Sequence, residues 1–353
     1  VAGHALDAPV TSRTRHERTP LAIPEPHAKA MSHQQAGQPP PGARVVAVVL
    51  NWNGGEETLA CLRSLRECTG LVPQPLLVDN GSSDDSVERA QAEDARLEVL
   101  RLGSNLGYAA GNNRALRHAF DRLSADWVCL LNSDVVVAPD TFGQLLAGVH
   151  AAQEEDDRPV GAAGPCLLFR DRPDVVWACG GRIGPRLNVT QLLEQGGRAR
   201  DAEPRDVDYV PGACLLVSRA ACERAGLLDE AYFCYLEDAD WGVRMRKAGF
   251  RLLAVPRARA WHALSASTGG GYTAGRKYMT GVNSVRFLRQ HGTPAGWAAL
   301  FVFDLLLWPL ALMRAAVKGG TAGAVAKLRG VLDGLRGAQV DATVAARFAR
   351  RPR

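Results

Sequence analysis

Val45-Val-Ala-Val-Val-Leu50, running straight into Asn51-Trp-Asn-Gly-Gly55, is the stretch whose reading decides the fold. Six apolar residues with no polar alternation predict a strand buried on both faces of a parallel sheet. The Asn/Gly cluster ends it, and residues 56–66, with Leu59, Leu62 and Leu65 on one side, predict a helix. The pattern then recurs. Residues 75–78 predict a second strand, ending in Asp79-Asn-Gly-Ser-Ser-Asp84, with a helix to about Asp94. Residues 97–102 predict a third, which leads through the Gly-punctuated stretch 103–113 into a helix ending near Leu123. Residues 127–131 predict a fourth, closing on Asn132-Ser-Asp134. Strand–helix alternation with polar loops at each strand's C-terminal end predicts an α/β sheet with its ligand site along that edge, the first half being a nucleotide-binding lobe.

The second half reads differently. Short strands at 160–169, 174–183 and 207–217, helices at 219–225, 238–248 and 278–290, and strands at 250–255 and 258–262 predict a mixed sheet. Within it Glu237, Asp238 and Asp240 stand at the start of a helix that carries Arg244, Arg246 and Lys247 near its end, matching the helix dipole. Three acids this close repel one another. Either the helix N-terminus and cations keep them ionised, or they face a pocket that uses a carboxylate as a base.

Composition narrows the function. The 353 residues, 46% hydrophobic, suffice for one large domain or two small ones. The net charge of +5 is uneven: residues 314–353 carry nine Lys/Arg against Asp333 and Asp341, whereas residues 44–313 are net acidic. That argues against a nucleic-acid-binding core and for a tail that is solvated or meets anionic lipid. Eight scattered cysteines without a C-x-x-C pair read as buried thiols of a reducing compartment, and the polar N-terminus lacks a secretory signal, so a cytoplasmic location is expected. Residues 1–43, rich in Pro, Gln and Ala, predict a disordered arm whose four histidines have no ligand spacing. Residues 297–313 are strongly apolar but hold Asp304 and Pro309, which predicts an interfacial or hairpin-like membrane contact over a span, with a soluble core helix as the alternative.

No strand leads into G-x-G-x-x-G and no G-x-x-x-x-G-K-[ST] occurs, so dehydrogenase and P-loop readings lose support. Five motifs in order, VVAVVLNWNG, LLVDNGSSDDS, NLGYAAGNN, LLNSDVVVAPD and GLLDEAYFCYLEDADWGVRMRKAGFRLLAVPRARAWH, instead resemble the family-2 glycosyltransferases of the GT-A fold, bacterial rhamnosyltransferase-like branch. The resemblance covers residues 44–290, a nucleotide-binding half 44–135 and an acceptor half 136–290. It implies a central, mostly parallel sheet flanked by helices, to which residues 291–353 would add a helical membrane-associating extension.

By that resemblance Leu50, Asn51, Trp52, Asp79, Asn80 and Ser82 bind the nucleotide's base and ribose. Unaided, Trp52 reads as a core residue before a stacking one. The loop holding Asn105, Gly107, Gly111 and Asn112 opens a helix whose N–H groups can approach a diphosphate; an ordinary capped loop is the plainer reading. Asn132-Ser133-Asp134 takes the D-x-D position, with Asn for the first acid, so a Mg²⁺ or Mn²⁺ ion would lean on Asp134. His262 resembles the histidine that completes the metal site in some members, although a lone His is commonly structural. Asp238 matches the general base, and Glu237 and Asp240 would orient the acceptor or pair with Arg244 and Arg276. Gly269-Gly-Gly271 with Tyr272 suggests a flap.

The implied reaction is attack by an acceptor hydroxyl on the anomeric carbon of a nucleotide-activated sugar, such as dTDP-rhamnose, with inversion. The implied acceptor is a glycan or lipid-linked saccharide at the inner face of the plasma membrane. A non-catalytic nucleotide-sugar-binding protein on the same fold is the rival reading, supported by Asn132. A processive synthase would need several spans and Q-x-x-R-W, and the sequence has neither.

Overall fold

A computed structural model describes residues 42–184, 190–264, 273–317 and 320–344. Most of the N-terminal arm, the Gly269–Gly271 flap with Tyr272, and the end of the basic tail lie outside the described residues.

The first half runs β1 (Val45–Asn51), α1 (Gly55–Arg66), β2 (Gln74–Asp79), α2 (Ser86–Glu93), β3 (Glu98–Arg101), α3 (Gly107–Asp121) and β4 (Trp127–Asn132). Next come β5 (Val135–Val137), α4 (Thr141–Glu155), β6 (Val160–Phe169), β7 (Val176–Ala178), β8 (Gly181–Ile183), β9 (Thr190–Leu192), β10 (Arg205–Asp206) and β11 (Cys214–Ser218). The chain continues through α5 (Arg219–Ala225), a 3₁₀ turn (Glu230–Tyr232), α6 (Glu237–Lys247), β12 (Arg251–His262) and α7 (Ala274–His291). Finally α8 (Pro294–Ala299), a π-helical segment (Leu300–Leu306), α9 (Trp308–Val317) and α10 (Thr321–Leu335) follow.

The main sheet has the order β10-β12-β6-β11-β4-β1-β2-β3. β1 lies parallel to β2 and β4, and β2 to β3; β12 lies parallel to β6, and β11 runs antiparallel between β4 and β6. Every long strand except β11 therefore points one way, and both halves of the chain share one sheet. The predicted two-sided burial of β1 is what the packing shows. Val45, Ala47 and Val49 belong to the core on one face, with Leu59 and Leu62 of α1 and Phe142 and Leu145 of α4. Val46 and Val48 belong to the core on the other, with Leu116 and Ala119 of α3 and Trp241 and Met245 of α6. All eight cysteines are free, seven of them buried.

Where observed elements differ from expectation, the backbone gives the reason. The strand expected over 174–183 breaks into β7 and β8 at Gly180, whose φ is +82°. The strand expected over 207–217 begins only at Cys214, because Pro211-Gly-Ala213 forms a turn before it. The strands at 250–255 and 258–262 are one strand, β12, bulged between Val255 and Arg259. Pro256 in that bulge has no N–H to give to a ladder. Helices α4 and α10 and strand β5 were not anticipated.

Candidate active site

The strand register assembles the first wall. Asn51 lies opposite Asp79, and Leu50 opposite Asn132, so three polar strand ends form one row. Asn51 is fully buried and spends its amide within the row. Its Nδ2 donates to Ser82 Oγ (3.2 Å) and Ser86 Oγ (2.8 Å), and its Oδ1 accepts from Gly54 N (3.0 Å) and Thr58 Oγ1 (2.8 Å). A Cβ on Gly54 would stand 2.2 Å from Thr58 Oγ1, so the close turn demands glycine. Asp79 Oδ1 accepts from Ser82 N at 2.8 Å, a side-chain-to-backbone bond that folds the second loop. Asn80 fixes the third loop: Nδ2 donates to Asn105 Oδ1 (3.1 Å) and Gly107 O (3.2 Å), and Oδ1 accepts from Leu106 N (2.9 Å). Trp52, Ser82 and Asn105 are half-buried at the rim. Leu50 packs on α3, where a Cβ on Gly111 would come within 2.8 Å of its Cδ1. Asn112 is wholly inside, its Nδ2 donating to Tyr108 O at 3.0 Å.

The opposite corner is Asp134 with His262. The antiparallel pairing of β5 with β12 sets His262 against Val135, and Ala263 N donates to Asp134 O at 3.0 Å. Both side chains are buried, with Nε2 of His262 3.1 Å from Asp134 Oδ1. The imidazole stands edge-on to Trp177 with centroids 4.6 Å apart, and its buried Nδ1 has no hydrogen-bond partner. Among the described residues no group of three or more His, Cys, Asp or Glu could hold a metal by itself. A carboxylate and an imidazole side by side nevertheless fit a hard or borderline divalent cation that takes its remaining ligands from water and substrate phosphate, as Mg²⁺ and Mn²⁺ do.

The acids at the start of α6 separate into three environments. Before them the backbone is left-handed at Phe233 (φ 59°), Tyr235 (φ 76°) and Leu236 (φ 72°), conformations that cost a side-chain-bearing residue roughly 1–3 kcal/mol each and need outside support. Asn283 of α7 supplies it. Its fully buried amide donates to the carbonyls of Tyr232, Cys234 and Tyr235, each at 2.9 Å. On the other side, Ala109 N donates to Phe233 O (3.1 Å), and the Phe233 ring fills the space a Cβ on Gly107 would take, at 2.5 Å. The loop is thereby pinned between α3 and α7.

Asp240, buried, is bound to Arg244 (2.8 Å) and His291 (2.6 Å), so of the expected partners it takes Arg244. Glu237 is buried with Oε2 unpartnered; burial, and then the neighbouring Asp238 charge, hold its carboxyl well above the usual range. Asp238 is half-buried, Oδ2 accepting from Gly212 N (3.0 Å) and Oδ1 from Ala239 N (2.8 Å). Burial raises its pKa, and those N–H groups hold the rise in check. Asp238 is the acid of the three that combines partial exposure with fixed orientation.

One turn joins the two corners. Gly212 N reaches Asp238, while the next residue's carbonyl, Ala213 O, accepts from Asn132 N at 3.0 Å, two residues before Asp134. Tyr108 OH donates to Gly212 O at 2.6 Å and braces the turn from α3. Gly212, Tyr108 and Asn283 escaped the sequence reading. Asn283 alone left a signal there, a polar amide on the apolar side of an amphipathic helix.

Comparison with known proteins agrees with this architecture. Residues 40–277 match the family described as glycosyltransferase like family 2. An N-acetylglucosaminyl-diphospho-decaprenol L-rhamnosyltransferase of Mycobacterium tuberculosis is 32% identical over 249 residues, covering 63% of this chain and 76% of that protein. The mannosyltransferase PcManGT of Pyrobaculum calidifontis, solved with GDP-Man and Mn²⁺, superposes with a TM-score of 0.51 at 17% identity, covering 85% of this chain and 89% of that one. GalNAc-T7, solved with UDP, GalNAc and Mn²⁺, superposes with a TM-score of 0.55 at 16% identity; the match spans 70% of this chain but only 48% of that one. The chain belongs to glycosyltransferase family 2, and it is a sugar-transferring enzyme built on the GT-A fold.

Proposed function

We propose that this protein moves a sugar from a nucleotide-diphospho-sugar to a glycan or lipid-linked saccharide by a single displacement with inversion. Asp238 is the general base, and Asp134 with His262 would hold a divalent cation that offsets diphosphate charge. The reading rests on one observation above others: the Gly212–Ala213 turn is bonded to Asp238 on one side and to the strand end before Asp134 on the other. A base and an anion-handling corner fixed to the same turn are what an in-line displacement needs.

In the step, the acceptor hydroxyl gives its proton to the Asp238 carboxylate as its oxygen bonds to the anomeric carbon, and the bond from that carbon to the diphosphate oxygen breaks. Gly212 N and Ala239 N keep the carboxylate aimed and ionised. The cation, when bound, would neutralise charge on the departing diphosphate. The row of Asn51, Asp79 and Asn80 shapes the nucleotide end, with Trp52 at its rim for stacking. The name of the mycobacterial relative supports a rhamnosyl donor and a polyprenyl-linked acceptor, which would put the enzyme at the cytoplasmic membrane face.

The deciding experiment is Asp238→Asn. It should lose ~10²–10⁴ in transfer rate while thermal shift by donor plus Mn²⁺ stays as in the parent. Normal turnover by the variant would remove the base assignment.

A further inference from the structure

The arm after α7 is fastened on one side and bare on the other. The segments 294–306 and 308–317 meet with a bend of 53°. On the inner side Leu300 packs with Val285 and Leu288 of α7 and Val331 of α10, flanked by Trp297 and Leu305. Trp308 Nε1 donates to Ala324 O at 3.3 Å. Asp304, the acid that made the stretch look unfit for lipid, is turned inward and paired with Lys327 of α10.

What remains outside is apolar. Phe301, Phe303, Leu306, Leu310, Met313 and Val317 are exposed, and α9 has no buried residue at all. A strip of this kind marks an interaction surface, and an apolar helix face that no described residue covers calls for a second apolar phase. Charge indicates which phase. Arg314 is exposed near the end of α9, and residues 314–353 carry nine Lys/Arg against two Asp, a clear excess even with Lys327 taken by Asp304. A basic segment beside an apolar face complements anionic headgroups above acyl chains.

We infer that the arm 294–317 lies in the plane of an anionic lipid surface, its apolar strip among the acyl chains and the basic residues after it among the headgroups. It does not span. Among the described residues no single helix is long and apolar enough to cross a membrane, and threading the bent pair through would strip it from α7 and α10 and carry Asp304 into hydrocarbon. The inference does not depend on the sugar chemistry, because the surface is distinct from the strand-end site.

The test uses the full chain with neither donor nor acceptor, sedimented with vesicles of phosphatidylcholine alone or mixed equally with phosphatidylglycerol. The mixed vesicles should bind it, less well in high salt and less well without the anionic lipid, and alkaline carbonate should release it. Phe301→Ser/Phe303→Ser/Met313→Ser, all at exposed positions, should weaken association about tenfold or more with an unchanged thermal transition. Undiminished binding by that variant, no binding by the parent, or retention through the carbonate wash would each overturn the inference. So would a parent dimer that becomes monomeric in the variant while ignoring vesicles, since a second copy would then be what covers the strip.

Discussion

Gly212 and Asp238, 26 residues apart in the chain, are joined by a 3.0 Å hydrogen bond from the glycine N–H to Oδ2 of the acid. The glycine is required by a third residue: a Cβ at 212 would sit 2.7 Å from Tyr108 Oη and 3.1 Å from Cζ. Gly212→Ala should therefore destabilise the protein by about 1–3 kcal/mol through overpacking. Tyr108→Phe should cost about 1 kcal/mol for the lost bond to Gly212 O. The double variant should cost less than the sum, by at least ~0.5 kcal/mol, because the phenylalanine removes the atom the new methyl strikes. Denaturant unfolding of all four proteins reads the coupling, and strict additivity would mean the two sites do not share that space.

Asn283 should matter more than its distance along the chain suggests. Asn283→Ala takes the side-chain donor from the carbonyls of Tyr232, Cys234 and Tyr235, the first of which keeps Cys234 N, beside three residues of positive φ, and should cost about 1–3 kcal/mol. Asn283→Asp should be worse than alanine near neutral pH, since a carboxylate would face those carbonyls. Because Asn283 bonds the Asp238 loop directly and reaches the nucleotide loops only through Phe233, kcat should fall in both variants by more than donor affinity does. Equal loss of donor affinity would show that Asn283 supports the whole fold, not this loop.

These two cases mark the limit of what the sequence reveals. The strand ends were legible because unbroken apolar runs such as 45–50 stop abruptly at polar clusters, and the sheet then aligns those clusters by register. The acids of α6 were legible as a group, but their division was not. Asp240 turns to His291 of α7, Glu237 is sealed in, and Asp238 meets a turn between two distant strands. Arg244, four residues on from Asp240, is the one partner that local spacing encodes; His291 and the Gly212 turn come from tertiary packing, which it does not. Asp304 makes the same point: in sequence it is a charge in an apolar run, and in the fold it is neutralised by Lys327.

If Asp134 and His262 are its protein ligands, as proposed, the cation corner should bind metal weakly alone and firmly with a nucleotide diphosphate. Titration with Mn²⁺ should give a thermal shift that grows when UDP or dTDP is added, and Asp134→Asn or His262→Ala should abolish the cation-dependent part of that shift. A shift as large without nucleotide as with it would require further protein ligands and would contradict the two-ligand set.

Glu237 gives a pH-dependent prediction whose sign follows from its burial. Its carboxyl is held well above the ordinary value of 4.5, first by burial and then by the charge of Asp238. The folded state therefore binds this proton more tightly than the unfolded chain does. The resulting stabilisation is fully present below about pH 4.5 and is lost as pH rises through the folded value. At neutral pH the folded state must either carry a buried charge on Glu237 or take up a proton that the unfolded chain has released, and both cost stability, so Glu237→Gln should raise Tm by about 2 °C or more. The advantage should shrink as pH falls and vanish below the unfolded value, where both proteins carry a neutral side chain. Calorimetry of parent and variant across that range measures it directly, and a Tm gap that widens on acidification would mean that Glu237 is stabilised as an anion.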